Sequence, residues 1–227
     1  MFNNKPILAI ETSQNLCSIC IYFSGNKFFE MNFKLKNAHA EKLFESIENV
    51  MNSAGIGITG IGAIAVSAGP GSFTGLRIGM SAAKGLAYGA SIPVIPVPTF
   101  EALCLQICHY LPDNEEFIIS NKVNVEEVYF AKFKKNNADY NFIENLQVLN
   151  RNELNSKTED ILIFGNALLD SGNNLNLKSR YRNISSPEAK YVARWSLLYG
   201  RDKVLYDYEY LEPTYIKNFI VKEKKNV

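Results

Sequence analysis

Histidine is nearly missing from this chain of 227 residues, which has only His39 and His109. Two isolated imidazoles cannot supply the paired ligands of a catalytic zinc or iron centre. Charge of one sign is also missing: 24 Lys and Arg face 23 Asp and Glu, so electrostatics alone selects neither a nucleic acid nor an anionic membrane as partner. Long apolar runs are absent. The opening MFNNKPILAIETS holds only the run Ile7 to Ile10, too short for a signal-peptide core, and nothing nears the roughly 18 residues of a membrane span. A cytoplasmic protein is expected. Cysteine is sparse, with four residues. Cys17 and Cys20 lie in NLCSICIYF, a strand pattern that points residues three apart to opposite faces. Cys104 and Cys108 share a face of an expected helix, with His109 next, but no second Cys/His cluster accompanies them. All four read as small buried hydrophobes.

What is there is an ordinary globular composition, 47% apolar and 21% charged, enough for a substantial core. PILAIET, CSICIYF and KFFEMNF read as three strands, the last two joined at Ser24-Gly25-Asn26. Residues 39–54 carry Leu43, Ile47, Val50 and Met51 at helical spacing. IGAIAVSA reads as a buried strand, followed by a helix ending near Gly89 and a strand from Pro93 to Val97. Thr99 is the expected N-cap of the helix TFEALCLQICHY. The first hundred residues thus spell β-β-β-α-β-α-β-α. Beyond them, FIISNKVNVEEVYFAKF reads as two strands around a polar turn and Ile161 to Phe164 as a short strand. SPEAKYVARWSLLYGR reads as a helix opened by Ser186 and Pro187. The Asn-rich stretches around 136–157 and 171–183 read as loops, and the basic tail with Lys217, Lys222, Lys224 and Lys225 as a frayed end. No internal repeat is visible.

The segment SAGPGSFTGLRIGMSAAKGLAYG, residues 67–89, has glycines enough for a phosphate loop. Its spacing does not fit one. A P-loop needs GxxxxGK[ST], and no Lys stands where it should; in the dinucleotide pattern GxGxxG, Thr74 takes the place of the third glycine. The turn could still offer amides to an anion at a helix start. More telling are two rows of small residues, Gly75, Gly79, Ala83 and Ala87 on one face and Ser81, Gly85 and Gly89 on the next. Each interior glycine costs a helix roughly 1 kcal/mol relative to Ala. Such rows allow close approach of a backbone, either this chain's own sheet or another subunit.

This segment resembles the hallmark stretch of the TsaB/YeaZ family, which supports synthesis of threonylcarbamoyladenosine in bacterial tRNA. AIETS at 9–13, HAEKL at 39–43, EVY at 127–129 and LEPTYIK at 211–217 resemble the family's other motifs. The resemblance implies an α/β fold of the actin, sugar-kinase and Hsp70 type (ASKHA), with two related halves, each a mixed five-stranded sheet flanked by helices. Residues 1–98 would form the first half and 99–227 the second. It implies a complex with the catalytic paralogue TsaD, which transfers threonylcarbamoyl from its adenylate to N6 of adenosine 37, and with the ATPase TsaE. A self-complementary helix pair could equally form a homodimer when the chain is alone, and tRNA would be met through the complex. Helices 39–53 and 74–89 are the expected contact surface for TsaD. His39, Leu43, Ile47, Gly75, Arg77, Gly79, Ala83 and Gly85 are the candidate interface residues.

No catalytic, metal or cofactor residue is expected. Where TsaD-like relatives carry a His-x-x-x-His pair on a helix, this chain has Thr99 and Leu103. Glu11 stands for the family's Asp, one methylene longer, which argues against tight metal-nucleotide geometry. Lys122, Val123 and Asn124 replace a DAR-type triplet and Glu126 a glycine, changes with no evident physical account. Two rivals remain: an ATP-dependent small-molecule kinase of the same superfamily, and an M22-type glycopeptidase homologue.

Overall fold

A computed structural model describes residues 5–34, 39–158, 161–168 and 181–216. The chain opens with three antiparallel strands, β1 (Ile7–Glu11), β2 (Leu16–Ser24) and β3 (Lys27–Lys34), then α1 (His39–Ala54). After a short 3-10 turn come β4 (Ala63–Gly69), α2 (Phe73–Ala90), β5 (Val94–Pro98) and α3 (Thr99–Cys108). These strands form a sheet of order β3-β2-β1-β4-β5, with β4 parallel to both β1 and β5. β1 and β4 are buried throughout, as apolar central strands covered on both faces must be. Successive side chains alternate between two cores. Leu8, Ile10 and Cys17 join Leu43, Ile47, Met80 and Ala83 from α1 and α2. Ile7, Ala9 and Cys20 face the other way, so the CxxC pair is split across the sheet as its strand spacing requires.

The second sheet is built from β6 (Glu116–Lys122), β7 (Glu127–Asn136), β8 (Asp139–Asn150), β9 (Leu162–Gly165) and β10 (Tyr181–Arg182). Its order is β10-β9-β6-β7-β8. β6 to β8 form an antiparallel meander, and β9 is parallel to β6 and β10. Strand for strand, this repeats the first sheet. The two mixed five-stranded sheets with their helices are the two-lobed ASKHA-like architecture.

α3 lies between the lobes. Ala102 and Leu105 pack on the first sheet, while Phe100, Leu103, Cys104 and Ile107 pack on Phe117, Tyr129 and Phe133 of the second. A helix apolar all round has to be covered on all sides. Cys104 and Cys108 share one face, their Sγ atoms 4.0 Å apart. A further helix, α5 (Ala189–Tyr199), returns to the first sheet with Val192 and Trp195. Trp195 Nε1 donates to Glu101 Oε2 at 3.2 Å, and the Tyr140 hydroxyl donates to the same oxygen at 2.6 Å, which joins α3, α5 and β8. We propose that the expected division near residue 98 marks a change of sheet rather than a break between independent units.

Three expectations are corrected. Residues 139–157 are not a loop but β8 and the short helix α4 (Arg151–Lys157). β8 pairs with β7 along its length, and Phe142 meets Phe133 with ring centroids 4.6 Å apart. Asparagines hid the alternation of Tyr140, Phe142, Leu146 and Val148. Thr99 is not the N-cap of α3. It is the first helical residue, and its hydroxyl accepts the Gly69 amide at 3.1 Å, tying the helix to the end of β4. Nor do Ser186 and Pro187 open α5. Its N-terminal amides find side chains on other elements: Glu188 N donates to Gln106 Oε1 at 2.8 Å, Ala189 N to Ser18 Oγ at 2.7 Å and Lys190 N to Glu30 Oε1 at 2.8 Å. These bonds replace a local cap. In the stretch expected to loop at 171–183, residues 181–182 form β10 and residues 171–180 lie outside the described residues, as does the basic tail.

Candidate functional site

The glycine segment runs from the end of β4 into α2, and the structure accounts for its first four glycines one by one. Gly69 has φ +114°, and a Cβ there would stand 2.7 Å from the Thr214 carbonyl oxygen. At Gly71 a Cβ would be 2.5 Å from Ser13 O. A Cβ at Gly75 would overlap the Thr12 carbonyl, and one at Gly79 the Thr12 hydroxyl. That hydroxyl donates to Gly75 O at 2.7 Å. The first strand's exit and α2 therefore touch backbone to backbone, which only glycine permits. Two of the turn's amides are engaged internally as well: Ser72 N donates to Ser13 O at 2.6 Å, and Gly75 N to the capping Ser72 Oγ at 3.2 Å.

Beneath this contact lies Glu11, fully buried. Its Oε1 accepts both the amide and the hydroxyl of Ser13 at 2.5 Å, and its Oε2 takes the Ser67 hydroxyl. Burial pushes its pKa up to about 7, against the lowering effect of these donors. The carboxylate is thus engaged as a strut between β1 and β4.

The outer side of α2 is different. Ser81, Gly85 and Gly89 are exposed, and a Cβ at Gly85 or Gly89 would meet nothing within 4 Å. Between α1 and α2 runs an open groove of about 550 Å³, lined by Phe44, Phe73, Thr74, Arg77, Ile78, Ser81 and Ala82. Phe44 is 57% exposed and Phe73 40%, two large apolar side chains lining one groove, and exposed apolar surface of this kind marks a surface for association. At its rim the Arg77 guanidinium lies over the Phe73 ring, 4.0 Å from the centroid.

The eight residues expected at an interface therefore separate. Leu43, Ile47, Gly75, Gly79 and Ala83 face the chain's own sheet and core. Arg77 and Gly85 are on the outer surface. His39 opens α1, and its side chain lies outside the described residues. Phe44, Phe73 and Ile78 were not among the expectations. Phe44 was detectable as an aromatic on the polar side of α1, next to the buried stripe of Leu43, Ile47 and Val50.

A second hollow, about 360 Å³, lies between the lobes and is polar, walled by Asn15, Asn32, Lys34, Gln106, Asn166, Ser186 and Glu188 among others. Glu188, the carboxylate among its described lining residues, is paired with Lys190. Thr99 and Leu103 are buried, and among the described residues no group of three His, Cys, Asp or Glu could hold a metal ion. No helix among the described residues is long and apolar enough to cross a membrane.

Comparison with known proteins completes the picture. The family model of TsaD, tRNA N6-adenosine threonylcarbamoyltransferase, matches residues 34–135. The tRNA threonylcarbamoyladenosine biosynthesis protein TsaB of Haemophilus influenzae is 32% identical over 144 residues, 63% of this chain and 60% of that protein. TsaB of Buchnera aphidicola subsp. Baizongia pistaciae is 29% identical over 197 residues, 83% of this chain and 87% of that protein. In sequence the chain is similar to proteins of the TsaB/YeaZ family. The solved structure of YeaZ from Pseudomonas aeruginosa has the same fold, with a TM-score of 0.76 at 20% identity, covering 93% of this chain and 99% of that one. The chain spans about three fifths of the length of the Haemophilus TsaB it matches. All residues lining the groove fall within the stretch that matches the TsaD model.

Proposed function

We propose that this chain is a non-catalytic accessory subunit in the synthesis of threonylcarbamoyladenosine in tRNA. It docks a TsaD-like paralogue on the groove between α1 and α2, with a TsaE-like ATPase and tRNA joining through the complex. The observation that carries this reading is the exposed apolar groove itself, beside a glycine segment in which the Ser72 and Gly75 amides are already bonded within the fold. The names of its TsaB relatives supply the pathway. The buried Glu11 supports an accessory role over a kinase, since a carboxyl closed off from solvent and held by Ser13 and Ser67 is not presented to a magnesium nucleotide. Alone, the same groove can serve a second copy of the chain, as a self-complementary helix pair allows.

The test is reconstitution from purified parts: this chain, its organism's TsaD-like and TsaE-like proteins, tRNA and threonylcarbamoyl-adenylate. Modification should fall strongly when this chain is omitted, and undiminished modification without it would sink the proposal. Calorimetry of the chain alone with Mg-ATP separates the kinase reading, for which tight binding is required.

A further inference from the structure

Arg77 carries a charge that the fold holds in place without neutralising it. Among the described residues no carboxylate pairs with it, yet its position is fixed from two sides. Its guanidinium lies 4.0 Å over the Phe73 ring, and Nε donates to the Tyr215 hydroxyl at 3.3 Å. The Phe73 and Tyr215 rings are 5.4 Å apart. Tyr215 comes from a segment 138 residues away in sequence, and that segment is itself anchored. Leu205 and Val94 exchange two backbone bonds of 2.9 Å, the Tyr208 hydroxyl donates to Ile92 O at 2.6 Å, Leu211 is buried, and Thr214 N donates to Ala68 O at 2.7 Å. The segment crosses the edge of the first sheet and brings Tyr215 to the first turn of α2.

A guanidinium pinned in advance loses little rotamer freedom on binding, and its remaining N–H donors match a carboxylate in a two-pronged fork. It stands at the rim of an apolar groove, the arrangement in which buried arginines anchor protein interfaces. We propose that the protein filling this groove presents an Asp or Glu to Arg77, set beside apolar side chains that lie between α1 and α2, and that Tyr215 is the positioning residue for that contact. This rests on the docking role proposed above and adds the chemistry that fixes the partner's register. A phosphate backbone fits less well. Glu41, Glu45 and Glu48 are exposed on α1, with Glu45 paired to Lys42, and a helix carrying more exposed carboxylates than cations repels a polyanion.

The experiment measures affinity for the purified TsaD-like paralogue at about 50 and about 500 mM salt, a range over which exposed charge pairs are screened. Four proteins are compared: the unaltered chain, Arg77→Lys, Arg77→Met and Tyr215→Phe. The unaltered chain should lose roughly tenfold in affinity at high salt. Arg77→Met should bind roughly 10- to 30-fold more weakly at low salt and show no remaining salt dependence, with Arg77→Lys intermediate. Tyr215→Phe should cost roughly threefold while keeping the salt dependence. Thermal unfolding of each lone variant should match the parent, because Arg77 is exposed. Equal binding by Arg77→Met, or a parent that ignores salt, overturns this inference and leaves the docking role standing. Failure of the unaltered chain to bind at all overturns both. An Arg77→Met variant that binds the paralogue normally but no longer retards tRNA in a gel assigns the cation to RNA and overturns the inference too.

Discussion

The two faces of α2 carry the same kind of residue for opposite reasons. On the inner face Gly75 and Gly79 exist because the backbone and hydroxyl of Thr12 occupy the space a side chain would need. On the outer face Gly85 and Gly89 have open space around them, and nothing in the lone chain accounts for the helix propensity they give up. Small residues on a helix thus record close approach only where an approaching atom can be named. The inner row belongs to the fold, and the outer row is left to explain by association.

The inner face breaks most readily. Gly75→Ala puts a methyl group against the Thr12 carbonyl oxygen, a backbone atom that cannot swing aside. A loss of about 3 kcal/mol in urea denaturation is expected. Gly79→Leu should leave little folded protein in the same assay, because Thr12 and Ile10 lie directly in its path. A Gly79→Leu chain that folds normally but binds its partner poorly would return this residue to the interface.

Glu11 makes the inner contact pH-dependent. Its folded pKa of about 7 lies above the ordinary value of 4.5, so between these two pH values the unfolded chain has released a proton that the folded chain keeps. Stability should therefore fall as pH rises from about 4.5 and level off above about 7, by about 3 kcal/mol in total. Other carboxylates add their own slopes, so the quantity to measure is the difference between the parent and Glu11→Gln across that range. A difference that stays flat would mean that the Ser13 and Ser67 donors already hold the folded carboxyl near its unfolded value. The outer face should show no such dependence, since Glu11 is the buried carboxyl among the described residues and it lies under the inner face.

Much of this was legible in the sequence, and the failures share a cause. The first lobe's strands and helices fell where local periodicity put them, because β1 and β4 are apolar throughout and α1 carries a clean stripe. The second lobe copies the first in strand order, yet no repeat is visible in the letters. Topology there is kept by aromatic contacts such as Phe117 with Phe133 and Phe164, where the first lobe uses aliphatic residues and alanine. The caps of α3 and α5 were misassigned because their hydrogen-bond partners are 30 to 171 residues away. The same distance problem hid the candidate site. Helical spacing gives two rows of small residues but not which one faces Thr12, and nothing in LEPTYIK signals that Tyr215 reaches Arg77.

The smallest effect is the sharpest test of the contrast. Gly85→Ala adds a methyl group into open space on a helix interior, and the lone chain should gain up to about 1 kcal/mol from helix propensity and a less flexible unfolded state. Gly75→Ala, the same chemical change ten residues earlier on the other face, should do the reverse. If the outer row is left small to let a partner's backbone come close, Gly85→Leu should leave the thermal unfolding of the lone chain near that of the alanine variant while weakening its binding to the TsaD-like paralogue by tenfold or more. Unchanged affinity would confine docking to the groove around Phe44 and Phe73 and leave Gly85 as a helix defect without a partner. A stabilised chain with weakened binding would show that the glycine is kept for the complex, at the expense of the subunit.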